Sequence, residues 1–172
     1  MNSAPKEIGH LVINVTDVDR SVAFYCDVVG FQLSRHFPGS GGGAFLTCGV
    51  IHHNLALSRA VEGAPPPQPG QIGLNHFAFK VDNYEALQEA HDRLVEADAV
   101  IDHIVDHGIT RSVYFHDPDG IVMELFADTF ATNEEGLRYI RATKSHTKPL
   151  DISAAEPPRP EIPEVQLTTA HR

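Results

Sequence analysis

The sequence contains few cysteines, little positive charge and no long apolar segment. Its only cysteines, Cys26 and Cys48, match neither a C-x-x-C motif nor a disulfide framework. The 13 basic residues stand against 23 acidic ones, and the net charge of −10 argues against a site for nucleic acid or an anionic membrane. No apolar run approaches the ~20 residues of a membrane span, and the N-terminus does not resemble a signal peptide. We therefore expect a cytoplasmic protein with reduced thiols.

The chain has the size and composition of one soluble globular domain, and it is rich in histidine. Its 172 residues are 42% hydrophobic and 21% charged, which is ordinary for a domain that buries its own core. The distinctive feature is the presence of 11 histidines, several of them inside segments that resemble strands. These histidines are the first candidates for chemistry.

Two segments of the chain carry the same predicted order of one strand, one helix and three strands. The first module, residues 7–61, opens with IGHLVINV, and the second, residues 72–127, opens with LNHFAFKV. In each module a helix follows at capping side chains, and glycine-containing turns separate the later strands. Because one module exposes an open sheet face, two modules must pack together. The sequence predicts an α+β fold in which two paired βαβββ modules form a curved, open sheet.

A linker and a C-terminal extension complete the predicted organisation. Prolines and glycines make residues 62–71 a semi-rigid connector. Residues 128–145 contain a short helix, and residues 1–145 together form a single domain that we expect to be catalytic. The proline-rich tail, residues 146–172, is predicted to be extended or disordered and to lie outside the core.

The two modules match at individual residues. His10 opens the first strand of one module and His76 opens that of the other. A glycine marks the turn before the last strand of each module, and His53 and Glu124 each lie four residues beyond it. Glu124 interrupts an apolar strand, where a carboxylate is costly to bury unless a cation neutralises it. Two imidazoles and one carboxylate form the facial triad of non-haem Fe(II) oxygen-activating enzymes, and the same donors suit Mn(II).

The sequence resembles the vicinal oxygen chelate superfamily, which includes glyoxalases, bleomycin-resistance proteins and extradiol dioxygenases. The segments HHNLAL, LNHFAF and HGITRSVYFHDPDGIVMEL carry this resemblance within residues 7–127. They are most similar to the type I extradiol dioxygenases of catechol and biphenyl-diol, in their compact single-domain form. The resemblance implies an Fe(II) enzyme, with Mn(II) as the other candidate, that cleaves the ring of a small aromatic diol with O2.

The resemblance also assigns roles to individual residues. The implied metal ligands are His10, His76 and Glu124. The family's acid–base histidine falls on His53, whose ordinary pKa near ~6.5 suits a group that both accepts and donates a proton. Its substrate-binding tyrosine falls on Tyr114, which can hydrogen-bond to or deprotonate a phenolic oxygen. A further histidine that contacts substrate falls on His107.

Each of these residues also has an ordinary structural explanation. A single histidine in a strand is usually a hydrogen-bonded polar residue, and strand alternation is compatible with a solvent-facing Glu124. Tyr114 fits a core aromatic, His107 a loop residue and His53 a packing position. Five other histidines are interpreted as surface residues: His36, His91, His103, His116 and His146. The recurrence of histidine at one position in both modules favours the metal site.

Two other functions remain open within the same fold. A glyoxalase-like lyase or isomerase takes four protein ligands, and His53 occupies the position predicted for the fourth. A bleomycin-resistance-type protein binds a small molecule without a metal triad, and such a protein has no need for these donors. Exposed sheet edges favour self-association, so we expect a homo-oligomer. The pocket wall is predicted to include Phe77, Phe79, Phe115 and part of residues 128–145.

Overall fold

The computed structural model describes residues 4–39, 41–144 and 147–163 of the chain. Predictions for residue 146 and for residues 164–172 concern positions outside this part. The order of elements confirms the two βαβββ modules. In chain order the elements are β1 (Leu11–Val15), α1 (Val18–Ala23), β2 (Gln32–Phe37), β3 (Gly43–Thr47), β4 (Leu55–Arg59), β5 (Phe77–Lys80), α2 (Tyr84–Glu96), β6 (Ile101–Asp106), β7 (Thr110–His116), β8 (Val122–Asp128), α3 (Asn133–Ala142) and β9 (Lys148–Pro149).

The helices begin and end where the sequence indicates. The Asp17 side chain caps α1 by accepting the Arg20 backbone N–H, and α1 continues as a π-helix that stops at Gly30 with φ of 103°. In α3, Thr132 and Glu135 form a reciprocal capping box. No helix in the described residues is both long and apolar enough to cross a membrane.

Each module forms its own sheet, and the two sheets repeat the same strand order. The first sheet has the order β1-β4-β3-β2, and the second has β5-β8-β7-β6-β9. The first strand of each module pairs in parallel with the last strand of that module, and the other pairs are antiparallel. Strands β1 and β5 therefore lie at the edges of their sheets.

The hydrophobic core lies on the helical side of both sheets. Along β1 the burial alternates, because Ile13 and Val15 are buried whereas Val12 is 59% exposed. The buried residues of both sheets and of the helices belong to one cluster, to which α2 contributes Leu87 and Leu94. Each sheet thus packs one face against helices and turns its other face away from the core.

Hydrogen bonds between the modules reinforce this shared core. The Tyr25 hydroxyl, on the π-helix, donates to the Asp117 carboxylate at 2.8 Å. Arg20 lies 2.6 Å from Asp119 in the same β7–β8 turn, and Thr16 donates to Asp119 as well. The D-P-D-G turn, residues 117–120, is closed by the Asp117 side chain and also joins the second module to the helix of the first.

Part of the proline-rich tail packs on the second module, which differs from the prediction. Strand β9 pairs with the outer edge of β6, and Ile152 is only 6% exposed. The buried Arg111 side chain donates to the Pro157 carbonyl at 2.8 Å and lies 3.3 Å from the Glu156 carboxylate. The outer edge of β6 and the buried Arg111 guanidinium bind this segment, although its composition resembles that of a disordered tail.

Candidate metal centre

The second module brings two of the predicted ligands together. His76 lies directly before β5, and Glu124 lies on the neighbouring β8, where it pairs with Ala78. The His76 Nε2 is 3.2 Å from the Glu124 Oε2, and the Glu124 side chain is only 9% exposed. The apolar strand therefore holds a buried carboxylate that faces an imidazole nitrogen.

A hydrogen bond orients the His76 ring for ligation. Its Nδ1 lies 2.8 Å from the Asn75 Oδ1, which accepts a hydrogen bond from the tautomer that carries its proton on Nδ1. In that tautomer, the lone pair of Nε2 faces the Glu124 carboxylate. Two acceptors this close are satisfied by a shared cation, and metal-bound histidines commonly donate their other N–H in this way.

Tyr114 and His107 stand beside this pair. On β7, Tyr114 pairs directly with Glu124 on β8. Burial chiefly, followed by the Glu124 carboxylate, raises the pKa of Tyr114 above its ordinary value. The His107 Nε2 lies 3.2 Å from the Tyr114 hydroxyl, and its Nδ1 lies 2.9 Å from the Thr147 hydroxyl. The hydroxyl is thus a neutral donor beside the carboxylate.

A cavity of about 460 Å³ opens at these side chains. Tyr114, Glu124 and His107 line one side of it, and Tyr139 and Ile140 of α3 line another. The expected contribution of residues 128–145 to the pocket wall is confirmed. The contribution of the three phenylalanines is not, because side chains alternate along a strand and these rings point to the other face. They lie in or against the core: Phe77, Phe79 and Phe115.

His103 is a neighbour of the candidate site that the sequence did not reveal. Its side chain is 48% exposed, as expected for a surface residue, and its ring also stacks on Tyr114 with centroids 4.1 Å apart and an angle of 14°. The two residues are paired across β6 and β7. Only this strand register could have placed His103 beside Tyr114, and a bulge in the β6–β7 pair next to His103 makes the register impossible to read from the sequence.

The first module carries the remaining histidines on its own sheet. His10 lies directly before β1, and the centroid of its ring is 4.6 Å from that of the His53 ring. The His53 ring stacks on Phe45 with centroids 4.3 Å apart and an angle of 9°. Burial, followed by the neighbouring His52 and His10, lowers the pKa of His53. A second cavity, of about 490 Å³, opens at these rings.

Strand register identifies the counterpart of Glu124 in the first module. Val12 and Ala78 each lie two residues after a repeated histidine. Val12 pairs with Ala56 on β4, whereas Ala78 pairs with Glu124 on β8. Ala56 therefore occupies in the first sheet the position that Glu124 occupies in the second. The first module has no donor side chain at that position.

The predicted match between His53 and Glu124 is wrong. Gly49 lies seven residues before Ala56, whereas Gly120 lies four residues before Glu124. The two glycines are not equivalent because the connections between the last two strands differ in length. His53 lies in that connection, before β4 begins. Its proposed acid–base role does not depend on the match and stays a prediction.

One chain does not bring all three predicted ligands together. The cavity beside His10 and the cavity beside Glu124 have no lining residue in common. Within the described residues, no group of three or more histidine, cysteine, aspartate or glutamate side chains is placed to hold a metal ion. Each module instead presents a pair of candidate donors on its own sheet.

Comparison with known proteins identifies the family. The sequence profile of the Glyoxalase/Bleomycin resistance protein/Dioxygenase superfamily matches residues 7–125, which span both modules. The chain belongs to this superfamily. The matched range ends within β8 and contains all three predicted ligands, His10, His76 and Glu124. This assignment confirms the fold expected from the sequence.

Several relatives in the glyoxalase/dioxygenase superfamily are similar along most of the chain. Biphenyl-2,3-diol 1,2-dioxygenase 2 of Rhodococcus globerulus is 30% identical over 154 residues, covering 89% of this chain and 78% of that protein. Biphenyl-2,3-diol 1,2-dioxygenase 3 of the same organism is 30% identical over 168 residues, covering 94% and 87%. The structure of a lactoylglutathione lyase from Agrobacterium tumefaciens is 28% identical, with a TM-score of 0.54 over 72% of this chain and 94% of that one.

The donor chemistry of this superfamily member fits a divalent metal. His76 and Glu124 offer a nitrogen and an oxygen that face each other, and His10 offers a second imidazole. Imidazole and carboxylate are the ligands of non-haem Fe(II) and also suit Mn(II). These three side chains supply the donor types of such a site, and they are divided between the two modules.

Proposed function

We propose that this protein is an extradiol dioxygenase that cleaves the ring of a catechol-type diol with O2 at a non-haem Fe(II) centre. The observation that carries the proposal is the buried His76–Glu124 pair with the Tyr114 hydroxyl beside it. The relatives named as biphenyl-diol dioxygenases support the same reaction class. The adjoining cavity, at about 460 Å³, lies within the ~300–1,000 Å³ range of small-ligand pockets.

In the proposed site, His10, His76 and Glu124 hold the metal. The His76 Nε2 and the Glu124 Oε2 are already adjacent. Bound Fe(II), or Mn(II) in its place, would supply Lewis-acid chemistry toward the diol and one-electron chemistry toward O2. The protein residues then have three tasks: they orient the diol, they move its protons and they limit the entry of water.

Tyr114 is proposed to bind one diol oxygen. Its raised pKa keeps the hydroxyl protonated near neutral pH, so it acts as a hydrogen-bond donor to a phenolate. The His107 Nε2, 3.2 Å away, accepts from the hydroxyl or passes a proton to it. Stacking by His103 limits the rotation of the Tyr114 ring. These neighbours position the hydroxyl before substrate arrives.

His53 is proposed as the acid–base residue on the other side of the metal. Its ring contacts the ring of His10, which is one of the proposed metal ligands. The lowered pKa leaves the ring neutral near pH 7, and a neutral imidazole can accept a proton from the diol and return it during ring opening. The parallel Phe45 ring fixes its plane.

The proposed reaction is balanced without an additional reductant. The carbon–carbon bond beside the diol breaks, and both atoms of O2 enter the product, a ring-opened semialdehyde or keto acid. The partners are therefore a small aromatic diol and O2, with no nucleic acid or membrane. We also propose a cytoplasmic location, which the free Cys26 and Cys48 thiols support.

The register at Ala56 favours this reaction over that of a four-ligand lyase. In the first module a methyl group stands where a fourth carboxylate ligand would project. A metal held by three protein ligands keeps open positions for a chelating diol and for O2. A small-molecule binding protein without a metal gives no reason for the buried carboxylate that faces an imidazole.

The proposal is tested by loading the protein with Fe(II) without oxygen and then measuring O2 uptake. The substrates are catechol and 2,3-dihydroxybiphenyl, and the expected result is a yellow ring-fission product with one O2 consumed per diol. A parallel sample loaded with Mn(II) identifies the preferred metal. Protein that retains iron and yields no ring-fission product with any diol would contradict the proposed activity.

A substitution separates the role of His53 from that of a ligand. His53→Gln should lower kcat by about 100-fold, the effect typical of lost acid–base catalysis, and should leave the iron content unchanged. His91→Gln, a change on α2 that touches neither cavity, is the matched control and should have no effect on either quantity. Loss of iron in the His53 variant would support the four-ligand lyase instead.

A further inference from the structure

The turn that carries His107 joins β6 to β7 and is closed on several sides. The His107 backbone N–H donates to the Thr110 carbonyl at 2.9 Å, and the Asp106 carboxylate accepts the Gly108 backbone N–H at 2.6 Å. Tyr139 of α3 packs on this turn so closely that a side-chain carbon at Gly108 would collide with its ring. The backbone at His107 is therefore fixed, and the rotation and protonation of its imidazole ring depend on other contacts.

Strand β9 places a hydroxyl directly opposite His107. In the antiparallel pairing of β9 with β6, Lys148 pairs with Asp106. The next position in this register sets Thr147 opposite His107. The Thr147 hydroxyl accordingly lies 2.9 Å from the His107 Nδ1. This contact comes from the C-terminal segment, which lies outside the superfamily region that ends at residue 125.

Three side chains thus form one hydrogen-bonded chain that leads into the cavity. The Thr147 hydroxyl meets Nδ1 of His107, and Nε2 of the same ring lies 3.2 Å from the Tyr114 hydroxyl. Tyr114 lines the cavity together with Glu124, its direct partner across β7 and β8. Both ring nitrogens of His107 therefore face a hydroxyl group, one from the C-terminal segment and one from the cavity.

The acceptors in the cavity determine the direction of these hydrogen bonds. The Glu124 carboxylate and an ionised diol only accept, so the Tyr114 hydroxyl donates its one hydrogen to them. Its oxygen then accepts from the His107 Nε2–H. A neutral ring protonated at Nε2 has a lone pair at Nδ1, which accepts the Thr147 hydrogen. Protonation at Nδ1 would instead draw the Tyr114 hydrogen toward His107 and away from the diol.

We propose that Thr147 is a positioning residue that holds His107 as its Nε2–H tautomer and so directs the Tyr114 hydrogen to the diol. This inference rests on the proposed function, since the diol is the acceptor assigned there to Tyr114. The C-terminal segment then contributes one hydroxyl to the organisation of the site. Without that hydroxyl, the His107 ring is free to adopt either tautomer.

The first test compares two substitutions of Thr147 in the Fe(II)-loaded protein. Thr147→Val keeps the shape of the side chain and removes the hydroxyl, so kcat/KM for the diol should fall by about 3- to 10-fold, the effect of one lost hydrogen bond. Thr147→Ser keeps the hydroxyl and should stay within about 2-fold of the wild type. Ser153→Ala, which removes an exposed hydroxyl from the same segment, is the matched control and should have no effect. Wild-type kcat/KM in Thr147→Val would contradict the role.

A double-mutant cycle determines whether Thr147 acts through His107. His107→Phe keeps an aromatic ring and removes both nitrogens. In that background Thr147→Val should cause no further loss of kcat/KM, because the partner of the hydroxyl is already gone. A merely structural contribution from Thr147 predicts that the two losses multiply, and that result would overturn the proposal.

The tautomer of His107 is measured separately, by NMR and without turnover. The full-length protein is isotope-labelled at its histidine nitrogens and prepared without iron, which avoids paramagnetic broadening, and His107→Phe identifies the His107 signals. With neutral rings, the wild type should carry the proton on Nε2 alone, and Thr147→Val should show signals averaged between both tautomers. Protonation at Nδ1 in the wild type, or an unchanged ring in Thr147→Val, would overturn the proposal.

The two readouts separate this inference from the proposed function. If the tautomer responds as expected and the protein cleaves no diol, the positioning contact stands and the dioxygenase function fails. If the protein cleaves a diol and Thr147→Val changes neither the tautomer nor kcat/KM, the function stands and the positioning role fails.

Discussion

At the scale of single residues, Tyr114 shows how neighbours prepare one functional group. The stacked His103 ring restricts the aromatic ring, and the His107 Nε2 lies 3.2 Å from the hydroxyl. Burial and the Glu124 carboxylate raise the pKa of this hydroxyl, so it donates rather than ionises near neutral pH. Three elements, β6, β7 and β8, contribute to this one position.

Replacing Tyr114 with phenylalanine tests this role. Tyr114→Phe should lower kcat/KM for the diol by about 100-fold, because a positioned proton donor is lost, while the iron content stays unchanged. Tyr84→Phe is the matched control, since the Tyr84 hydroxyl donates to the Asp151 carbonyl at 3.4 Å and not to the cavity. Steady-state kinetics and iron analysis measure both variants. Full activity of Tyr114→Phe would contradict the assignment.

Residue chemistry was easier to predict than residue neighbours. Glu124 stood out because a carboxylate in an apolar strand needs a partner, and His76 lies 3.2 Å from it. The counterpart of Glu124 was misassigned to His53, because a difference in loop length shifts the register without changing the residue pattern. His103 was missed for a similar reason, since only strand pairing places it on Tyr114.

At the scale of elements, the turn between β7 and β8 connects the two modules. The Asp117 Oδ1 accepts the backbone N–H groups of Asp119 and Ile121, which closes the turn. Its Oδ2 accepts from the Tyr25 hydroxyl across the module boundary. The strands and helices were predictable because burial periodicity and caps act locally. This contact was not predictable, since its partners are 92 residues apart in sequence.

The buried Asp117 carboxyl makes stability depend on pH. Burial raises its pKa, although hydrogen bonds from the Ile121 backbone, Tyr25 and the Asp119 backbone oppose the rise. The nearby Asp119 charge, paired with Arg20, adds to it. Because the folded pKa lies above the unfolded one, the contribution to stability is complete below the unfolded pKa, near ~3.8. It is lost as pH rises through the folded pKa.

Asp117→Asn should therefore gain stability relative to the wild type as pH rises from about 4 to 7. Urea unfolding of both proteins across this range measures the difference in the free energy of unfolding, in which the other carboxyl groups cancel. Asp82→Asn is the control, because the Asp82 side chain is exposed, and its difference should stay flat. A flat difference for Asp117→Asn as well would show that the buried carboxyl does not titrate as proposed.

At the scale of the whole molecule, the C-terminal segment belongs to the folded unit. Strand β9, Ile152 and the Arg111 contacts attach it to the second module. Its composition alone indicated disorder, because proline-rich segments rarely bury enough apolar area to offset the entropy of ordering. The sheet edge and the buried guanidinium that bind it are formed by residues about 40 positions away in sequence.

A pair of aliphatic substitutions measures how much this segment stabilises the fold. Ile152→Ala should lower the free energy of unfolding by about 2–4 kcal/mol, because it leaves a cavity under a buried side chain. Val61→Ala removes two methyl groups from a side chain that is 79% exposed and should change it by less than about 0.5 kcal/mol. Equal small effects in urea unfolding would show that the segment is not part of the core.

The alanine at position 56 has a consequence for electroneutrality. Two neutral imidazoles and one carboxylate cancel only one of the two positive charges of a divalent ion, so such a centre keeps a net charge of about +1. A singly ionised diol removes that excess on arrival. A second carboxylate at the position of Ala56 would neutralise that excess charge before the diol binds. A preference for an anionic substrate would then follow from the absence of a carboxylate at Ala56 in the first module.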